Sequence, residues 1–257
     1  MGLLAEDEAP AFQVLNQGGT SPFLLTADHA GRVIPRALGT LGLAAADLLR
    51  HIAWDIGIAG VTALLAAELD ATAILQTYSR LVIDCNRQPG VPSAFPAVSE
   101  ATPIPGNAGL TEADKAARQA EIFDPYHAEI ARLIAARTKR PMYVAMHSFT
   151  PVYHGVARPM QVALLYNRTP RLSHALAALL RTEGDLVVTE NDPYRVTDET
   201  DYGVPVHAER AGLDYLEIEI RQDLIADPAG QASWARRLAR LLPLAIARLA
   251  AEKTNGI

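Results

Sequence analysis

The chain has 257 residues, 49% of them hydrophobic and 20% charged. That is the balance of a globular protein with a sizeable core, and since α/β folds of roughly 250 residues commonly form one unit, a single domain over residues 1–257 is expected. A net charge of −6 without any basic run argues against nucleic acid as a partner and favours a small-molecule substrate.

No stretch approaches the ~18 consecutive apolar residues of a spanning helix. The opening Met1-Gly2-Leu3-Leu4-Ala5-Glu6-Asp7-Glu8 is acidic where a signal peptide is basic, and the lone Cys85 has no internal disulfide partner. Together these point to the cytoplasm, with no membrane partner; one sequence does not give the oligomeric state.

In chain order, the first strand is expected at Phe23 to Ala27, an apolar run that ends in Asp28-His29-Ala30-Gly31. Ligands of open α/β sheets bind at the carboxyl ends of strands, so His29 falls where chemistry commonly sits. A helix follows over roughly residues 45–69, and at helical spacing Asp55 shares a face with Ile52, Ile56 and Ala59. A carboxylate facing inward there requires a cation or hydrogen-bond donors, because an unpaired buried charge costs several kcal/mol. An ion pair with an arginine, or an exposed pair with His51, answers the same pattern.

Strands are expected at Ala73 to Thr77 and Leu81 to Ile83, the second set within Tyr78-Ser79-Arg80-Leu81-Val82-Ile83-Asp84-Cys85-Asn86-Arg87. Arginine suits bidentate recognition of a carboxylate, so Arg80 and Arg87 with Asn86 read as an anion clamp, or else as an internal Arg–Asp scaffold. Residues 88–109, with five prolines, read as a long surface loop. A helix is expected over roughly residues 111–138, with Thr111 and Asp114 as its N-terminal cap and Pro125 kinking or splitting it.

Tyr143 to Met146 forms the next strand and delivers His147 at its end, as the first strand delivers His29. Neutral imidazole is the commonest zinc ligand, and catalytic zinc typically takes three protein ligands. Strands at Gln161 to Leu165 and Leu186 to Thr189, a helix at roughly 171–183, a polar loop over 190–210 and a helix at roughly 230–252 complete the alternation of an α/β layered fold. In the last strand, Tyr215 to Ile220, Glu217 and Glu219 face the same way, so period alone does not choose between them as a general base, and a solvent-facing edge strand is the plain alternative.

These stretches together resemble the N-formylglutamate amidohydrolase family from about Leu24 to Ile225: Asp-His-Ala-Gly with Ile34-Pro35, the run from His51 to Asp55, Ser79-Arg80 through Asn86-Arg87, His147-Ser148 and Glu219-Ile220-Arg221. The resemblance implies a three-layer α/β/α sandwich with a mostly parallel mixed sheet, of the phosphorylase/hydrolase-like kind. It implies Zn2+ held by His29, Asp55 and His147, Glu219 as the base, and Arg80, Asn86, Arg87 and His207 as substrate contacts. Asp28 is then placed to orient a ligating histidine. In the carboxypeptidase-like pattern the acid stands three residues after the first histidine, where this chain has Arg32, so the arrangement with the acid on the next helix fits better.

The implied reaction is hydrolysis of N-formyl-L-glutamate to formate and L-glutamate. The alternatives are a zinc amidase or carboxypeptidase acting on another N-acyl amino acid or a peptidoglycan fragment, a cysteine hydrolase using Cys85, and a non-catalytic metal or amino-acid binder. A serine hydrolase using Ser148 lacks the Gly-x-Ser-x-Gly elbow.

Overall fold

The computed structural model describes residues 2–255, with side chains through Ala251; Met1, Gly256 and Ile257 of the expected 1–257 domain lie outside the described residues. In chain order the strands and main helices are β1 (Phe12–Leu15), β2 (Phe23–Ala27), α1 (Ile58–Leu69), β3 (Thr72–Gln76), β4 (Val98–Ser99), β5 (Thr102–Pro103), α2 (Glu112–Arg118), α3 (Asp124–Ala135) and β6 (Met142–Phe149). The chain continues through β7 (Val152–Tyr153), β8 (Val156–Ala157), β9 (Val162–Leu165), α4 (Arg171–Thr182), β10 (Val188–Glu190), β11 (Tyr215–Arg221) and α5 (Pro228–Asn255).

Seven strands form a mixed sheet in the order β1-β3-β2-β6-β11-β9-β10. The central run β3-β2-β6-β11 is parallel, β1 joins β3 antiparallel, β9 joins β11 antiparallel, and β10 runs parallel to β9. Strands buried on both faces are what a sheet covered on both sides requires, and every residue of β2, β3 and β9 is buried. The pleat sorts the side chains into two cores. Leu25 and Ala27 of β2, Val144 and Met146 of β6, and Leu216, Ile218 and Ile220 of β11 pack with α1, α4 and α5. Leu24, Tyr143, Ala145 and Tyr215 point to the other face, against Ile122, Phe123, Tyr126 and Ile130. On that second face the odd-numbered residues of β6 and β11 reach the carboxyl end of the sheet as His147, Glu217 and Glu219.

Four expectations change in detail. Residues 45–57 are not helical beyond a short 3-10 turn at Asp47–Leu49, so α1 begins only at Ile58. Gly57, with φ +82°, starts it, and a Cβ there would lie 2.1 Å from the Ile225 carbonyl oxygen. Only glycine tolerates both the left-handed backbone and that approach. Leu81 to Ile83 form no strand: Ser79 turns the chain by accepting from Leu81 N while donating to Ala53 O, and the Leu81 and Val82 carbonyls are taken by Asn107 and Arg118. The expected loop over 88–109 contains the β4–β5 hairpin and two 3-10 turns, and that over 190–210 contains a π-helical segment, Gly203–Glu209. The cap at Thr111 forms a full capping box, and the helix it opens is interrupted by a π-helical stretch, Gln119–Phe123, just before Pro125. Proline offers no N–H to the preceding turn, and the widened turn absorbs that loss. No helix among the described residues is long and apolar enough to cross a membrane.

Candidate metal centre and active-site pocket

At the carboxyl end of the parallel strands lies a cavity of about 480 Å³ whose lining includes His29, Asp55, Arg80, Asp84, Asn86, Arg87, His147, Glu217 and Glu219. β2 delivers His29 two residues past its end, and β6 delivers His147 within its last turn of pleat. Asp55 comes from the irregular segment before α1 rather than from a helix. It is fixed there because its N–H donates to the His29 carbonyl at 2.9 Å, while Ser148 N donates to its Oδ2 at 3.0 Å. The inward orientation expected of Asp55 therefore holds, for a reason that helical spacing did not supply.

One donor atom from each of His29, Asp55 and His147 lies within 4.8 Å of the others, and all three residues are buried. Asp55 sits between the imidazoles, with Oδ1 3.6 Å from His29 Nδ1 and Oδ2 3.1 Å from His147 Nδ1. The outer edge of each ring faces a different carboxylate. His29 Nε2 is 2.7 Å from Asp84 Oδ1, and His147 Nε2 is 3.7 Å from Asp28 Oδ2, whose other oxygen accepts from Tyr126 Oη at 2.6 Å. Such outer carboxylates fix the tautomer of a ligating histidine and turn its other nitrogen toward the metal.

The residues fit a divalent cation on two counts. His29 Nδ1 is buried with no hydrogen-bond partner although it faces Asp55, and the surroundings carry a surplus of carboxylates. Burial raises Glu217 to about 7 and Glu219 to about 8, with neighbouring acids adding to the rise. Burial opposes ionisation of Asp55 and Asp84 as well, but His29 and His147 hold Asp55 far below the carboxylate range, and Arg80 with His29 does the same for Asp84. Burial also disfavours charge on His147, yet Glu217, Asp55 and Glu219 outweigh it and hold its pKa well above the ordinary value.

The two glutamates of β11 are separable by neighbours. Glu219 stands in register with His147 and Glu217 with Ala145, so Glu219 is one full pleat repeat nearer the mouth. The charges acting on Glu219 include Asp55 and Arg80, whereas those acting on Glu217 include Asp201, Asp28 and Arg87. Both glutamates are buried parts of the site, and neither belongs to a solvent-facing edge.

The expected substrate contacts divide. Arg80 donates from Nε and Nη2 to Asp84 Oδ2, at 3.0 and 2.7 Å, and brings Nη1 to 3.5 Å from Asp55 Oδ1. It serves as both scaffold and pocket lining. Arg87 spends Nη1 on Asn86 O, Thr200 O and Asp201 Oδ1, leaving Nε and Nη2 without partners among the described residues. The Asn86 side chain is consumed internally: Oδ1 accepts from Tyr202 N and Gly203 N, and Nδ2 donates to Asp201. His207 is not brought to the pocket at all. Its Nε2 lies 2.8 Å from Nδ1 of His127, whose Nε2 reaches the Cys85 carbonyl at 2.9 Å.

Sequence reasoning missed Asp201, which ties Arg87 to the loop over 191–202, and it missed Tyr126 beneath Asp28. Neither carries a sequence signal, because each is brought to the site by tertiary packing. Cys85 is fully buried, burial pushes its thiol well up, and it does not line the pocket, which removes it as a nucleophile. Ser148 lines the pocket, but its hydroxyl donates to Ile56 O and meets no histidine.

The family model of N-formylglutamate amidohydrolase matches residues 21–226, most of the chain and every residue of this site. The chain belongs to the N-formylglutamate amidohydrolase family. Among solved structures, it is similar to a gene product of Agrobacterium tumefaciens at 40% identity and TM-score 0.92, covering 96% of this chain and 99% of that one. An N-formylglutamate amidohydrolase from Ralstonia eutropha JMP134 shares the fold at 20% identity and TM-score 0.68, covering 97% of this chain and 100% of that one. No curated protein matches the chain. Membership of an amidohydrolase family makes the cavity the place to look for amide hydrolysis.

Proposed function

We propose that the protein is a zinc-dependent hydrolase that cleaves the formyl amide of N-formyl-L-glutamate to formate and L-glutamate. The observation that carries this reading is the convergence of His29, Asp55 and His147 beside Glu219 in a pocket walled by arginines. His29, Asp55 and His147 would hold the ion. The chemistry zinc supplies when bound in such a site is Lewis acidity toward water and toward a carbonyl oxygen.

The chain's own residues carry the remaining work. Glu219, whose raised pKa a bound cation would lower, takes a proton from the attacking water; the water oxygen adds to the formyl carbon, the C–N bond breaks, and Glu219 returns the proton to the departing amine. Arg80, locked against Asp84, offers its Nη1 hydrogens to the carbonyl oxygen as negative charge develops there. Arg87 offers its unused edge to a substrate carboxylate. In this reading Asn86 holds the loop over Tyr202 and Gly203 in place, and Asp84 and Asp28 keep the two imidazoles turned inward.

Formate release from N-formyl-L-glutamate tests the proposal, measured as purified, after chelation and after zinc is restored. Activity that vanishes with the metal and returns with zinc is expected. Glu219→Gln should retain zinc and lose turnover by about 10²- to 10⁴-fold. A zinc-loaded protein that cleaves other N-acyl amino acids and not this one overturns the substrate, and a Glu219→Gln variant with full turnover overturns the base.

A further inference from the structure

Beyond the residues already placed, the mouth of the pocket carries a cation that the protein itself leaves unanswered. Arg195 lines the cavity beside Tyr194, Thr200 and Asp201, is exposed, and makes no hydrogen bond or ion pair among the described residues. Its neighbours are fixed on both sides. The Tyr194 hydroxyl accepts from Arg158 Nη1 at 2.8 Å, its ring centroid lies 4.9 Å from the Arg158 guanidinium carbon, and Val196 is buried in the core at 1% exposure.

The segment beyond Arg195 is equally tied. Asp201 Oδ2 accepts from Thr197 N and Thr200 Oγ1, while Oδ1 accepts from Arg87 Nη1. The same carboxylate therefore anchors the Arg87 guanidinium and the backbone of the loop that carries Arg195, so the two arginines are rooted in one frame. With Thr197, Thr200, Arg87 and Asn86 already on it, Asp201 is saturated. Two cations with unused donors face one cavity, one on its wall and one at its rim, which is the pattern of a receptor for two separate anionic groups.

We infer that Arg195 is a specificity-determining residue that holds the side-chain carboxylate of the amino-acid moiety, while Arg87 holds its α-carboxylate, so that the pocket selects acidic over amide or apolar side chains. This rests on the amino-acid substrate of the proposed function, but it concerns recognition rather than turnover, and its test is a binding measurement. Calorimetric titration of the zinc-loaded protein with L-glutamate and with L-glutamine isolates the side-chain charge, since the two ligands differ only in the terminal group.

The wild type should bind glutamate tighter than glutamine by about 10- to 100-fold, the worth of a charge-assisted hydrogen bond at a partly exposed site. Arg195→Ala should erase most of that difference and Arg195→Lys should restore part of it, because lysine keeps the charge without the fork. Circular dichroism of each variant checks that the fold is retained, as expected for a side chain without internal partners. Absence of a glutamate preference in the wild type, or a preference that survives in Arg195→Ala, overturns the assignment. Formate release followed on the same samples keeps the two readings apart: a glutamate preference lost in the variant without any formate from the wild type upholds Arg195 and rejects the proposed reaction.

Discussion

At the scale of single residues, the centre is organised by which edge of each imidazole is already occupied. Asp84 engages His29 Nε2 and two donors of Arg80, so one carboxylate sets a ring orientation and the position of the nearest guanidinium together. Asp84→Asn preserves the shape of that junction and removes its charge. The imidazole loses basicity, and Arg80 loses the ion pair that keeps it from drifting toward Asp55. Affinity for zinc is expected to fall about 10- to 100-fold, as it commonly does when an outer carboxylate of a metal histidine is neutralised. Competition with a chromophoric chelator measures this directly, and unchanged affinity would mean that His29 is positioned by its backbone alone.

At the scale of elements, the site depends on turns more than on strands. Asp55 reaches the cavity because the chain leaves the 3-10 turn at Asp47–Leu49, crosses under His29, and enters α1 through Gly57. Gly57→Ala forces a side chain into left-handed backbone and against the Ile225 carbonyl. A loss of about 2 kcal/mol or more is expected from the backbone term and the collision combined. Urea titration with and without zinc should show a larger loss with the metal present, since the displaced segment carries a ligand. An equal loss in both conditions would detach Gly57 from the metal centre.

The same elements explain what was legible beforehand. His29 and His147 could be found because each ends an unmistakable apolar run, and that run is what makes a buried parallel strand. Asp55 was found on a helical period that is not there: residues 52–57 are largely apolar because the segment is buried, and burial of an irregular segment leaves the same composition as one face of a helix. Leu81 to Ile83 misled in the same way, since three buried aliphatics read as a strand although the Leu81 and Val82 carbonyls are taken by the side chains of Asn107 and Arg118. Asp201 and Tyr126 could not be read at all, because each acts across more than ninety residues of sequence on a partner that only the fold supplies.

At the scale of the whole molecule, α3 and the Gly203–Glu209 segment are joined through two histidines that the chemistry does not use. His127 Nε2 donates to the Cys85 carbonyl, which leaves Nδ1 as the acceptor for His207 Nε2–H, so both rings are neutral in this arrangement. Burial lowers His207 to about 4 and, with His207 adding to it, lowers His127 well below its ordinary value. A histidine whose folded pKa is depressed binds its proton more readily in the unfolded chain. The stability contributed by a neutral His207 therefore falls as pH drops through about 6.5 and levels off near 4, where His207 of the folded protein also takes the proton. For His207 alone the gap of two to three pH units corresponds to about 3 kcal/mol. His207→Gln keeps an N–H for His127 and removes the titration, so its stability should change less steeply across this window, by up to about 1.4 kcal/mol per pH unit. Urea unfolding of both proteins in chelator, at intervals from pH 7 to pH 4, separates this slope from metal release. Parallel curves would mean that the pair is already open to water, and that the two segments are held by the surrounding aromatic contacts of Phe123 and Tyr202 instead.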